Sequence, residues 1–131
     1  MSLRFLTAKQ IVHMHDVLLR RYGGEEGGGH RGVDNEGVDA AVQAVKNSYY
    51  EIPQELAAAY AVYIVQGHVF MDGNKRAGCA AMLTFLEANG LSVGAPARDP
   101  RVMVELQQRA EAGESSGSLI AWLASLLGRE E

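Results

Sequence analysis

The sequence predicts an all-α protein, a compact bundle of about six helices. Apolar residues recur at three- and four-residue spacing along almost the whole chain, and no run alternates convincingly with period two. Proline and glycine fall at the ends of those periodic segments, where helices start and stop. At 131 residues the chain reads as a single domain spanning 1–131, long enough for a core that buries about two-thirds of the unfolded surface.

The elements follow in order. Thr7-Ala-Lys-Gln10 resembles a capping box. Ile11, His15, Leu18 and Tyr22 then share one face until Gly23-Gly24 stops the helix. The segment GGEEGGGHRG that follows is too glycine-rich for regular structure and reads as a mobile loop. Val38, Ala41, Val42 and Val45 mark a second helix with Asp34 as its cap. Pro53 suits a first helical turn, and Leu56, Tyr60, Tyr63, Ile64 and Gly67 carry one face towards His68. Asn74 to Asn89 is the most apolar helix, with Ala77, Gly78, Ala80 and Ala81 on its early turns. Small residues there permit close helix contact, which places this helix at the centre of the bundle. Gly90 ends it, and Pro100 to Ala112 and Ser118 to Leu127 supply two more.

Composition narrows the function. Hydrophobic residues make up 47% of the chain, an ordinary globular level. The apolar runs are too short to span a bilayer, and no charged-then-apolar leader opens the chain. One cysteine, Cys79, excludes an internal disulfide and a thiolate-rich zinc site. The expected location is the cytoplasm. A net charge of −4 argues against direct nucleic-acid binding, which needs a basic surface. A small cationic spot on an acidic body suits a phosphorylated ligand instead.

That spot lies in HVFMDGNKR, His68 to Arg76. Met71-Asp72-Gly73 reads as a helix-to-helix turn, with Gly73 supplying the unusual φ. The amides of Gly73, Asn74 and Lys75 then open a helix, where first-turn N–H groups and the macrodipole attract anions. Lys75 and Arg76 add full charges, and arginine can grip phosphate oxygens in bidentate fashion. The Asp72 carboxylate would repel phosphate unless a Mg²⁺ ion bridged the two. His68 is the side chain able to take a proton near neutral pH, and Phe70 anchors the turn in the core. Taken singly, Asp-Gly-Asn is an ordinary turn and Lys-Arg an ordinary solvated face. Together, a base, a metal ligand and a phosphate cradle are the parts of a phosphoryl- or nucleotidyl-transfer site. A P-loop does not fit, because the glycine spacing is wrong and no Ser or Thr follows Lys75.

HVFMDGNKR resembles the signature of the Fic/Doc (Fido) superfamily, HxFx[DE]GNGRxxR in the adenylylating branch and HxFxDxNKR in the Doc branch of death-on-curing toxins. The opening FLTAKQIVHMHDVLLRRYGG, the glycine loop and FLEANG also look Doc-like. The resemblance implies that His68 is the base for the target hydroxyl, Asp72 the Mg²⁺ ligand, Gly73 and Asn74 the anion loop, and Arg76 a phosphate contact. Lys75 departs from the adenylylating pattern, and Cys79 stands where its second arginine would be. Both departures match the Doc branch, which implies ATP bound in reversed orientation, transfer of the γ-phosphate, elongation factor Tu as the substrate and arrest of translation. The family's self-inhibiting stretch, [ST]xxxE[GN], is not found, so control is expected from a Phd-like antitoxin. A Fic-type adenylyltransferase is the alternative. A non-catalytic module that binds an anion or peptide is a third reading.

The other polar candidates rank lower. His13, His15 and Asp16 are expected to make helix-face hydrogen bonds rather than a metal pair. His30 and Arg31 are expected in a solvated loop, and Cys79 as a buried small hydrophobe. Glu51-Ile52-Pro53 falls where the resemblance places a target-docking flap.

Overall fold

The computed structural model describes residues 2–22, 34–70 and 73–128. Within them the chain forms seven helices: α1 (Ala8–Tyr22), α2 (Asn35–Lys46), α3 (Pro53–Gly67), α4 (Asn74–Ala88), α5 (Ala95–Arg98), α6 (Pro100–Glu111) and α7 (Ser116–Leu127). The all-α bundle expected from the periodicity is the observed fold. The glycine-rich loop expected before Asp34 lies outside the described residues.

The local signals work as the sequence implies. At the start of α1, the Gln10 N–H donates to Thr7 Oγ1 at 3.2 Å while the Thr7 N–H donates to Gln10 Oε1 at 2.8 Å. This is the reciprocal capping box. The Asp34 side chain accepts from the Gly37 N–H at 2.9 Å and caps α2, whose buried residues are Val38, Ala41, Val42 and Val45. Pro53 opens α3. Gly90, at φ 76, reverses the chain after α4, and the Leu91 N–H returns to the Leu86 carbonyl at 2.9 Å.

α3 and α4 form the central pair. α3 buries an unbroken run from Leu56 to Val62, then Ile64 and Val65, and is packed by α4, α7, α2 and α6. Its alanines at 57, 58, 59 and 61 leave room for neighbours on every side. The single stripe expected from the sequence therefore understates it. Gly67 is exposed and Tyr63 half-buried. Against α3, α4 buries Ala77, Gly78 and Ala81. A Cβ built on Gly78 would lie 3.3 Å from the Ala61 carbonyl oxygen, so this helix crossing depends on the missing methyl.

Polar bonds fasten the periphery to that pair. The Leu6 N–H donates to the fully buried Tyr60 hydroxyl at 2.9 Å. The Arg4 N–H donates to Asn89 Oδ1 at 2.7 Å, and Asn89 Nδ2 donates back to the Arg4 carbonyl at 3.1 Å. At the C-terminal end of α3, Gln66 Oε1 accepts from the Ser116 hydroxyl at 2.6 Å. Arg109 forks onto Glu114 at 2.7 and 2.6 Å and lies 4.4 Å above the Trp122 ring, which clips α6 to α7.

Two elements depart from expectation. α5, a single turn between Gly94 and Asp99, was not foreseen. α7 starts at Ser116, two residues before the expected Ser118, because the Ser115 hydroxyl caps it by accepting from the Ser118 N–H at 3.2 Å.

Gly78→Val should lower unfolding free energy by about 1–3 kcal/mol through overpacking. Gly117→Ala, where an added Cβ meets nothing within 4 Å, should raise it by about 0.4–1 kcal/mol. Urea unfolding of the two variants checks the contrast.

Burial pushes the Tyr60 phenol from 10.0 up to about 12, partly offset by the Leu6 N–H. A pKa raised on folding gives stability that is complete below the unfolded value and lost as pH rises through the folded one. Stability should therefore decline between pH 10 and about 12. Tyr60→Phe should flatten that decline, at a cost of about 1–3 kcal/mol at neutral pH for the stranded Leu6 N–H. Denaturant titrations across that pH range read both effects.

Candidate active site

Residues 68–73 alone separate the C-terminus of α3 from the N-terminus of α4. His68 is the C-cap of α3, with φ 45 and ψ 47. Among the described residues it is the one non-glycine with positive φ. A side chain in this left-handed region is held there by its surroundings, and such strain clusters at functional sites. His68 is exposed, whereas Val69 and Phe70 after it are buried. The turn thus presents the imidazole to solvent while its next two residues anchor it in the core. The Asp34 N–H donates to the Val69 carbonyl at 2.8 Å and ties the start of α2 to the same turn.

Asn74 closes the turn. Its Oδ1 accepts from the Phe70 N–H at 3.1 Å, and its Nδ2 donates to the Phe70 carbonyl at 2.7 Å. The carboxamide thereby satisfies both polar groups of a buried residue's backbone. The sequence suggested Asn74 as part of an anion loop; its side chain is taken up as a staple on Phe70. Asn, with an acceptor and a donor on one planar group, fits that double bond as neither Asp nor Leu would.

Gly73, at φ 85, is the N-cap of α4. The first intrahelical bond of α4 runs from the Ala77 N–H to the Gly73 carbonyl at 2.9 Å. The amides of Asn74 and Lys75 precede it and lie at the positive end of the helix dipole. Lys75 and Arg76, both exposed, flank them. The structure therefore brings His68, the Gly73–Asn74 backbone and two cations to one end of the α3–α4 pair. Asp72, the expected metal ligand, lies outside the described residues, as do His30 and Arg31. A groove of about 330 Å³ runs between α2 and α3, lined by Gly37, Ala40, Ala44, Tyr63, Gly67 and Val69; His68 itself is not part of its lining.

The lower-ranked candidates separate. His13 is exposed, and Asp16 pairs with Arg20 at 2.8 Å. His15 is 3% exposed and stacks on Phe70, with ring centroids 3.7 Å apart and planes 7° apart. His13 and His15 therefore point to different environments. Cys79 is half-buried rather than buried, and burial raises its thiol pKa more than Arg98 lowers it. Ile52 and Tyr49 are exposed, beside Glu51. Sequence reasoning passed over the Asn74 staple and the His15 stack. A signal existed for the second, since His15 shares a helix face with Ile11, which is fully buried.

Comparison with known proteins decides the family. The model of the Fic/DOC family matches residues 5–86, from just before α1 to near the end of α4. The chain belongs to the Fic/DOC family. It is also 34% identical over 121 residues to the protein kinase Doc of Escherichia phage P1, across 91% of each chain.

Asn74→Ala should lower unfolding free energy by about 1–3 kcal/mol, because it strands the Phe70 N–H and carbonyl. Asn74→Asp should recover only part of this, since a carboxylate accepts from the N–H but cannot donate to the carbonyl. Denaturant midpoints of the three proteins at neutral pH provide the comparison.

Proposed function

We propose that this protein is a Doc-type toxin that transfers the γ-phosphate of ATP to a threonine or serine hydroxyl of a translation factor, elongation factor Tu, and so arrests translation. The observation that carries the reading is the juxtaposition at one turn. An exposed imidazole is fixed at the end of α3, opposite a helix N-terminus that bears Lys75 and Arg76. A base held one turn away from an anion cradle can deprotonate a hydroxyl against a phosphoryl group already in place. Similarity to the protein kinase Doc over 91% of the chain supports the Doc branch.

In this reading His68 accepts the proton of the attacking hydroxyl. The Asn74 and Lys75 amides hold phosphate oxygens at the α4 N-terminus, where Gly73 lets the backbone approach closely. Lys75 and Arg76 draw off the charge that develops on the transferred group. Lys75 favours the γ-phosphate, since it puts a bulky cation where an adenylylating site has bare backbone. The Asp72 carboxylate is a hard oxygen donor of the kind Mg²⁺ takes together with phosphate oxygens, and the ion would neutralise triphosphate charge there. Restraint of the toxin falls to a Phd-like antitoxin whose tail folds onto it. A cytoplasmic site of action follows from the substrate.

The test is elongation factor Tu incubated with the protein, Mg²⁺ and ATP labelled separately at the α and γ positions, read by intact mass. Transfer of the γ label is expected; transfer of the α label would establish adenylylation instead, and transfer of neither would leave a binding module. His68→Ala should reduce the rate by about 10²–10⁴ with the fold intact. Lys75→Gly should reduce it by roughly 10²–10³ without introducing adenylyl transfer.

A further inference from the structure

Among the described residues, His15 is the one buried side chain that does not belong to the hydrophobic core. It sits on α1, outside the signature turn, yet touches that turn twice. Its face lies on Phe70, nearly parallel at 3.7 Å. Its edge faces the other side of the turn, close enough that a Cβ built on Gly73 would come within 3.3 Å of both His15 Cδ2 and Nε2. The ring is therefore wedged between the last anchored residue before the turn and the N-cap residue of α4.

We propose that His15 is a positioning residue, which sets the placement of Phe70 and Gly73 and hence the position of the phosphate cradle relative to His68. The planar ring does this by its shape. It fixes the tilt of Phe70 through the stack and limits how far Gly73 can move towards α1 through its edge. Asn74 closes the turn from within, and His15 braces it from outside. The catalytic consequence rests on the kinase reading above, but the structural consequence does not.

The experiment compares His15→Leu, which fills the volume without a plane, with His15→Gln, whose planar amide reaches the same edge. Leu127→Ala, remote on α7, serves as a control for lost stability. Hydrogen exchange of the Ala77 amide, bonded to the Gly73 carbonyl at 2.9 Å, reports the order of the cradle without any turnover. His15→Leu should speed that exchange about tenfold relative to α2 amides, while His15→Gln and Leu127→Ala leave the ratio near wild type. In phosphoryl transfer, His15→Leu should lose about 10²-fold in kcat with a much smaller change in KM for ATP, as expected for a misplaced cradle. His15→Gln should restore most of that loss.

Unchanged exchange and kcat in His15→Leu would overturn the inference. So would a His15→Gln protein as impaired as His15→Leu, because shape would then not be the operative property. If the wild-type protein transfers no phosphoryl group, the kinase reading fails alone, and the exchange ratio still decides the role of His15.

Discussion

Where α4 crosses α3, the Gly78 backbone lies against the Ala61 carbonyl, too close to admit a methyl group without displacement. That contact sets the separation of the two central helices. The turn between them is short, so it also sets how far the end of α3 can stand from the start of α4. His68 belongs to the first and the proposed phosphate cradle to the second. Their relation is thus a property of helix packing in the core, and a loop alone could not hold it. Packed interiors resist small displacements because every neighbour must move too, and a site mounted on such a crossing inherits that stiffness.

Further bonds transmit the same rigidity outward. Asn74 closes the turn on Phe70, His15 braces it from α1, and the Asp34 N–H joins it to α2 through the Val69 carbonyl. At the other side of α3, Gln66 links the last turn before His68 to the start of α7. Four helices therefore converge on one end of α3.

Much of this was legible in the sequence, for identifiable reasons. Thr7 and Gln10, Asp34, Pro53 and Gly90 are local signals whose physics operates within a few residues, so each appears in the structure where the sequence put it. The buried face of α2 was read residue by residue, because an amphipathic helix with one covered side obeys its period. α3 was read less well, since a helix covered on all sides carries no stripe. α5 is one turn long and has no period to detect. The roles of Asn74 and His15 depend on partners several residues or a whole helix away, and residue type alone does not name a partner. His15 was visible on an apolar face, but only its contact with Phe70 and Gly73 distinguishes a brace from an ordinary helix-face histidine. The signature turn itself was found by the density of its chemistry, while the fate of each side chain within it required coordinates.

The left-handed backbone at His68 has a consequence for how such a protein loses its activity over generations. Glycine and asparagine occupy that region more comfortably than histidine does. A change to either would therefore relieve local strain while removing the imidazole, and the folded chain would lose no stability with it. For a protein whose activity burdens its host, silencing then lies downhill in stability, and the fold can outlive the chemistry. If His68 is the proton acceptor proposed above, the left-handed backbone gives no reason of its own for histidine here, and only the chemistry of the ring does.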